Sequence, residues 1–241
     1  MEKQFKVKLV IRRAPALAAL AWLKQSWQIL MQAPAVWLLM YLHMAGFMLL
    51  SMMLPPVTTF IGVLAMPFLT AGVYKSIVAV QQKKPISLLG LYQPFKEPGC
   101  RPVFIRLALA ELFVSIPLIY LYALLQQQVI NGSISMPAVL LFAVWFSLTK
   151  MIFAYSVAIA YFLQERSVLA IMQASFAACW RNITPLALFS LLSMLLIMLT
   201  MPTYFIGLIV VLPLLHIAFF LSFNELFALQ IKPTDEAVLE V

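Results

Sequence analysis

The chain has 241 residues, of which 64% are apolar and only 10% are charged, and its mean hydropathy is +1.01. A soluble domain of this composition would expose large apolar patches to water, so the composition excludes an ordinary soluble fold and predicts a membrane protein. The net charge is +8, but a basic patch that binds nucleic acid needs a water-exposed polar domain, and the sequence contains none. We therefore expect no nucleic-acid partner. The net charge favours contact with anionic phospholipid at the cytoplasmic face instead.

The basic residues are grouped along the chain. Fifteen of the sixteen Lys and Arg residues lie in residues 3–24, in residues 75–106, in residues 165–181 and in the C-terminal tail. The zones between them, near residue 55, at 126–136 and at 201–203, carry no charge. Because cytoplasmic loops retain Lys and Arg, this alternation predicts six spans with both termini in the cytoplasm.

Six stretches are long and apolar enough for such spans, since a helix needs roughly 20 apolar residues to cross the hydrocarbon core. They are residues 35–54, 57–80, 103–125, 137–163, 186–201 and 204–229. The predicted fold class is an all-α integral membrane protein with six transmembrane helices in a single membrane domain, residues 1–241.

A repeated motif divides this domain into similar units. Phe-Ile-Gly at Phe60 is followed by Pro67, and the same motif at Phe205 is followed by Pro213. Residues 16–80 and 167–229 are therefore predicted to be two copies of one hairpin unit. Four spans separate equivalent helices, so the copies have the same orientation and the repeat is parallel. Residues 86–163 are a possible, more diverged middle copy.

Each unit begins with a segment that is too short and too polar to span. In the first, Lys24 belongs to a polar strip opposite an apolar arc; in the second, Arg181 ends a similar segment. The arcs consist of Leu20, Leu23, Trp27, Leu30 and Met31, and of Leu169, Met172, Phe176 and Trp180. We expect amphipathic helices that lie in the membrane interface, with Trp22, Trp27 and Trp180 at the headgroup level. The alternative is that they pack across the cytoplasmic ends of the bundle as a lid.

Ahead of the first such helix, apolar residues at 5, 7, 9 and 11 alternate with basic ones. This period of two is typical of an extended strand with a basic face toward lipid phosphates. Disorder is the alternative for a terminus of this length.

The chain resembles an uncharacterised family of bacterial six-span inner-membrane proteins. The residues that carry the resemblance are Ala14-Pro15 through Trp27, the span opening at Pro34, the stretch from Phe60 to Gly72, and Leu88 to Phe95. More distantly, the doubled layout is similar to the membrane domains of some glycerophosphodiester phosphodiesterases. The resemblance implies a helical fold in the bacterial inner membrane, and it implies no activity, because the matching residues include no catalytic motif.

Two charges lie deep inside predicted spans, more than five residues from either end, where a charged side chain is costly and seldom without a role. Lys150 lies halfway along the fourth span, and Glu111 lies eight residues into the third. Because these spans run antiparallel in one hairpin, we expect a Glu111–Lys150 ion pair. Such a pair either orients one helix against the other or forms a proton or substrate site.

Three further polar residues are candidates. His216 in the sixth span and His43 in the first have no Cys, Asp or Glu at ligand spacing, so we expect interhelical hydrogen bonds and no metal site. Glu225 closes the sixth span, where it pairs with a Lys or Arg or lies in a cytoplasmic vestibule.

Pro67, Pro117 and Pro213 each fall inside a span and predict helix kinks. Such kinks can open a cavity, although the repeat indicates an architectural role for Pro67 and Pro213.

No phosphate loop, nucleophile elbow or metalloprotease motif occurs in the sequence, so we expect neither enzyme activity nor a cofactor. The leading interpretation is a non-enzymatic scaffold, accessory subunit or lipid-organising protein. The sequence is compatible with a protein partner and with a homo-oligomer. The alternative is a small transporter of an amphipathic or anionic solute that uses Glu111, Lys150 and His216.

Overall fold

The computed structural model describes residues 6–54 and 56–232 of the chain, and it is dominated by helices. Residues 1–5 and 233–241, which include the predicted cytoplasmic termini and the first residue of the alternating arm, lie outside the described part. The helices are α1 Ala18–Gln32, α2 Pro34–Met53, α3 Pro56–Gln81, α4 Gln93–Lys96, α5 Arg101–Ile130, α6 Met136–Phe153, α7 Ser156–Phe162, α8 Val168–Arg181, α9 Ile183–Met198 and α10 Leu208–Leu226. Short 3-10 helices occupy Leu88–Tyr92 and Met201–Thr203.

Within the described residues, six helical segments are long and apolar enough to cross a membrane, which confirms the predicted number of spans. They are Pro34–Met53, Thr58–Gln81, Arg101–Ile130, Met136–Phe162, Ile183–Thr203 and Leu208–Leu226. Their length and apolar composition indicate a multi-pass membrane protein.

The sixth span ends earlier than the sequence predicts. α10 ends at Leu226, and Phe227–Lys232 forms a strand, β2, that pairs antiparallel with β1, Lys6–Ile11. The register joins Ile11 to Phe227 and Lys6 to Lys232. The arm at Lys6–Ile11 therefore takes the extended conformation, and the pairing places both described ends of the chain at the same side of the bundle.

The fourth span is not the continuous helix that the sequence predicts. It breaks at Ala154 and Tyr155, between α6 and α7. α8 supplies the missing hydrogen bonds: the backbone N–H of Tyr155 donates to Ser175 Oγ at 3.1 Å, and Ser175 Oγ donates to the carbonyl of Met151 at 2.9 Å. The break is therefore stabilised by a side chain from another helix, as broken helices at membrane depth require.

α1 packs against α10 through a continuous buried face. Ala18, Trp22, Ser26 and Ile29 recur at helical spacing and are all buried. Trp22 is 1% exposed, and its indole N–H donates to Glu225 Oε2 at 2.6 Å. The prediction that the Trp22 ring faces the membrane interface is thus wrong, because this side of α1 is buried against α10. Glu225 contacts this indole, and among the described residues it forms no ion pair with the expected Lys or Arg.

A close backbone contact fixes the segment after α3. A Cβ added to Gly72 would lie 2.3 Å from the carbonyl oxygen of Leu91, so only glycine lets the 3-10 helix Leu88–Tyr92 approach α3 this closely. Leu91 itself is fully buried. The contact docks this segment at one end of the bundle.

Asn182 ties the N-terminal arm to the junction between α8 and α9. Its Oδ1 accepts from the N–H of Ala14 at 2.8 Å, and its Nδ2 donates to the carbonyls of Arg12 and Ala178 at 3.0 Å. The side chain is 2% exposed, so these bonds satisfy a polar group that the core would otherwise leave unpaired.

Candidate functional site

The two intramembrane charges face a common cavity. Glu111 on α5 and Lys150 on α6 line a space of about 330 Å³ together with Phe153, Ala154 and Phe219. α5 and α6 are the antiparallel helices of the middle hairpin, so the sequence correctly predicts that these charges lie near each other.

The direct ion pair that we expected is not formed. Among the described residues, Lys75 and Glu97 make the one ion pair within 4.0 Å, so Glu111 and Lys150 are farther apart than this. The ammonium of Lys150 lies 5.6 Å from the centre of the Phe146 ring, a cation–π contact on its own helix. The third and fourth spans therefore hold two separated charges instead of a closed pair.

A second, larger cavity adjoins the first. It has a volume of about 440 Å³ and shares Lys150, Ala154 and Phe219 with the smaller one. Its remaining wall comes from α6, α8 and α9 and is mostly apolar: Phe146, Ser147, Met151, Cys179, Ile183, Leu186, Ala187, Phe189 and Ser190. Both serine hydroxyls donate to carbonyls of their own helices, Ser147 to Ala143 and Ser190 to Leu186. Lys150 is thus the charged group of an otherwise apolar wall.

The break in the fourth span lies beside both cavities. Ala154, the last residue before Tyr155, lines each of them. The Tyr155 phenol hydrogen-bonds Ser222 Oγ on α10 at 2.8 Å, and its ring stacks on Phe219 at 4.8 Å. The break therefore places Tyr155 against α10, next to both cavities.

The histidines lie away from these cavities. His216 packs edge-on against the rings of Tyr41 and Tyr74, with centroid distances of 5.7 and 5.1 Å. His43 on α2 hydrogen-bonds the hydroxyl of Tyr92 in the 3-10 helix, an interaction between elements as the sequence predicts. The structure thus does not bring His216 together with Glu111 and Lys150.

The three prolines lie inside helices α3, α5 and α10, as predicted. Pro117 lines a cavity of about 540 Å³ between α5 and α6. Nearby, the indole N–H of Trp145 donates to the carbonyl of Val114 at 3.1 Å. A side chain of the neighbouring helix thus bonds the backbone next to the proline, as is common in membrane helices.

One polar cluster has no counterpart in the sequence prediction. Glu97 accepts from Lys75 Nζ and from the Tyr161 hydroxyl, each at 2.9 Å, and joins α3 to α7. Burial acts to raise the pKa of Glu97, but these hydrogen bonds and the Lys75 charge outweigh it and lower the pKa below its usual 4.5. Only the fold brings these three residues together, although the charges of Lys75 and Glu97 are a weak sequence signal.

No group of three or more His, Cys, Asp and Glu side chains in the described part of the chain is arranged to hold a metal ion. The arrangement at Glu111 and Lys150 offers one carboxylate, one ammonium and apolar walls. Such an arrangement can bind a molecule that has both charged groups and a hydrocarbon chain.

Comparison of the chain with models of protein families, with curated protein sequences and with solved structures found no match.

Proposed function

We propose that this chain is a non-enzymatic, multi-pass protein of the bacterial inner membrane that acts as a scaffold or accessory subunit, or by organising lipid. Its contact with the anionic cytoplasmic leaflet runs through α1 and α8. The observation that carries the proposal is the exposed surface of α1, which is divided into an apolar stripe and a polar strip.

The apolar stripe of α1 consists of Leu20, Trp27 and Met31, which are 45–50% exposed and lie on one side of the helix. Lys24 and Gln28 are exposed beside them. The opposite face of the helix is buried against the bundle. A helix in such a position suits the membrane boundary, with the stripe in the acyl region and the strip toward headgroups. The alternative that α1 packs across the cytoplasmic ends of the bundle as a lid is compatible with this position, because the buried face of α1 contacts the bundle while its other face remains exposed.

α8 has a related surface. Leu169 and Trp180 are 64% and 63% exposed, and Arg181 follows at the end of the helix. The half-buried Phe176 stacks on the exposed Trp180 at 6.0 Å, so the two rings form one aromatic pair at this surface. Trp27, Lys24, Trp180 and Arg181 thus keep the interfacial role that we propose for them, whereas Trp22 does not.

Matching burial supports the proposed repeat of hairpins. Positions 149 residues apart are buried in both α1 and α8: Trp22 and Ile171, Ser26 and Ser175, Leu30 and Cys179. Tyr74 of α3 stacks at 4.6 Å on Phe220 of α10, a residue at the equivalent distance from its proline. Contact between equivalent residues is expected at the axis that relates two copies.

The turns of the two hairpins add to this support. A Cβ on Gly62 would lie 2.6 Å from Ser51 Oγ at the end of α2. A Cβ on Gly207 would lie 2.9 Å from Thr200 Cγ2, just after α9. In each unit the glycine of the Phe-Ile-Gly motif therefore makes room for a hydroxyl residue of the preceding helix.

The orientation and the location rest on the charge pattern and on the resemblance to bacterial six-span proteins. The described loops at 54, 131–135 and 199–207 contain no charged residue, whereas the loop at 82–100 carries Lys83, Lys84 and Lys96. The positive-inside rule then puts both termini in the cytoplasm.

The transporter alternative receives less support. His216 packs between two tyrosine rings, away from the cavities that Lys150 lines. The walls around Glu111 and Lys150 are Phe153, Ala154 and Phe219, which argue against a polar track through the bundle.

The proposal is tested with the full chain in vesicles that contain spin-labelled phosphatidylglycerol or phosphatidylcholine. We expect the motionally restricted lipid to favour phosphatidylglycerol, and the double variant Lys24→Gln, Arg181→Gln to lose this preference severalfold, because each basic residue at the surface contributes about 1 kcal/mol. The charge-preserving variant Lys24→Arg, Arg181→Lys is the matched control. An unchanged preference in the neutral variant would contradict a lipid-organising role for these helices.

A second comparison tests the stripe itself. The double variant Leu20→Glu, Trp27→Glu places two carboxylates in the acyl region and should lower the yield of inserted protein. The control Gln25→Glu, Gln28→Glu adds the same charge to the polar strip and should behave like the wild type. Equal behaviour of the two variants would mean that the stripe does not face lipid.

A further inference from the structure

We propose that the cavity between Glu111 and Lys150 binds the headgroup of a zwitterionic, amine-bearing phospholipid. Its ammonium pairs with Glu111 and its phosphate pairs with Lys150. This site differs from the α1 and α8 surface, so the inference and the proposed function can fail independently.

The charges of the cavity select this ligand. One carboxylate and one ammonium face the same space of about 330 Å³, more than 4.0 Å apart, and the other lining residues are apolar. The described residues give the Glu111 carboxylate no hydrogen-bond donor and give Lys150 no anionic partner within 4.0 Å. Glu111 is half-buried and Lys150 is exposed, each within a helix long and apolar enough to span a membrane, and unpaired charges at such positions are costly. A ligand with one positive and one negative group compensates both.

The adjoining cavity accommodates the hydrocarbon of the same ligand. It has about 440 Å³, a mostly apolar wall, and three residues in common with the charged cavity: Lys150, Ala154 and Phe219. Its two serine hydroxyls donate to their own helices, so the wall presents hydrocarbon and aromatic rings. The headgroup would lie in the charged cavity, and the acyl chain that continues from it would lie in the adjoining apolar cavity.

The broken fourth span fits a ligand at this place. Non-helical backbone at membrane depth is tolerated where it is buried in protein or lines a cavity. Ala154 lies at the break and lines both cavities, while Ser175 satisfies the backbone of Met151 and Tyr155 from the other side. The interruption is short, since Ala154 keeps helical dihedral angles and α7 begins at Ser156. Interrupted helices of membrane proteins commonly form ligand sites.

A purely anionic amphiphile fits less well. Phosphatidylglycerol or a fatty acid would pair with Lys150 but bring a negative group next to Glu111 without a cation for it. Like charges at such a distance repel, more strongly in a low dielectric. The cavity therefore favours phosphatidylethanolamine over phosphatidylglycerol, in contrast to the α1 and α8 surface, which favours the anionic lipid.

The test uses the full chain purified in detergent and delipidated. Phosphatidylethanolamine and phosphatidylglycerol with identical acyl chains are added, and bound lipid is counted by native mass spectrometry while the melting temperature is followed. We expect one phosphatidylethanolamine per chain to be retained most tightly and to raise the melting temperature more than phosphatidylglycerol does. The decisive comparison uses the chain with Lys24→Gln and Arg181→Gln, which lacks the basic residues of the α1 and α8 surface. Equal or tighter retention of phosphatidylglycerol than of phosphatidylethanolamine by this chain would overturn the proposal.

The double variant Glu111→Gln, Lys150→Met removes both charges and leaves no orphan charge, so it is the variant that we expect to fold. It should bind phosphatidylethanolamine at least about tenfold more weakly, since one lost charged hydrogen bond alone accounts for roughly that factor and two are removed. Lys96→Met removes an exposed lysine elsewhere and should retain the lipid. Undiminished binding by the double variant would show that the lipid sits at another place and would overturn the site.

Discussion

The indole nitrogen of Trp22 lies 2.6 Å from Oε2 of Glu225, a hydrogen bond between residues 203 positions apart. It joins the first helix of the chain to the end of the last. The ring of Trp22 also packs edge-on against Phe189 at 6.2 Å, so the same residue reaches α9. Trp22 therefore contacts both helices of the last hairpin, α9 and α10, at one end of the bundle.

Trp22→Phe keeps an aromatic ring in this position but removes the N–H donor. We expect a loss of about 1.5 kcal/mol, since hydrogen bonds to charged groups contribute about 1.5–3 kcal/mol, and a lower melting temperature in detergent. The half-exposed Trp27 provides the control, and Trp27→Phe should leave the melting temperature nearly unchanged. Equal effects of the two changes would show that the indole bond contributes nothing.

Gly72→Ala should destabilise the bundle, because its Cβ would lie 2.3 Å from the Leu91 carbonyl oxygen. Overpacking of this kind typically costs about 1–3 kcal/mol, measured as a drop in melting temperature. Gly46→Ala is a matched change, since nothing lies within 4 Å of that Cβ and α2 gains a better helix former. A melting temperature that falls equally in both variants would contradict the close approach of the 3-10 helix to α3.

Glu97 should make stability depend on pH in the acidic range. Its pKa is lowered in the folded protein, so the stabilisation is complete above the ordinary value of 4.5 and is lost as the pH falls through the folded pKa. We expect the melting temperature to drop more steeply in the wild type than in Glu97→Gln when the pH is lowered from 6 to 3, a range of about 3 units around the reference value. Lys75→Met should flatten the profile as well, because it removes the ion-pair partner. If the melting temperature changed with pH in the same way in the wild type, Glu97→Gln and Lys75→Met, the ionisation of Glu97 would not contribute to stability.

The six-span topology predicts a pattern of labelling. In a background with Cys100 and Cys179 replaced, a single cysteine at Ser133 or Tyr204 should react with an impermeant thiol reagent in intact cells. A cysteine at Lys84 should react only after the membrane is permeabilised. Labelling of the Lys84 site in intact cells would exclude this orientation.

The sequence was sufficient to predict the six spans, because each needs only a run of apolar residues of the right length. Their bounds agree with the structure to within a few residues for most spans. It also indicated the close placement of Glu111 and Lys150, because a hairpin brings its two helices side by side. Their separation is a matter of side-chain packing around Phe153 and Phe219, which periodicity does not describe.

The features that only the tertiary structure decided depend on partners far away in the chain. The strand at Phe227–Lys232 forms because β1 lies beside it, and the break at Tyr155 depends on Ser175 of α8. The pattern of α1 alone predicts that Trp22 lies at the interface, whereas in the structure α10 covers this side of the helix and Trp22 is buried. Local pattern determines which segments enter a membrane, since lipid acts on each segment separately. Long-range contacts decide which side of each helix meets protein, and with it where the cavities and the buried polar groups lie.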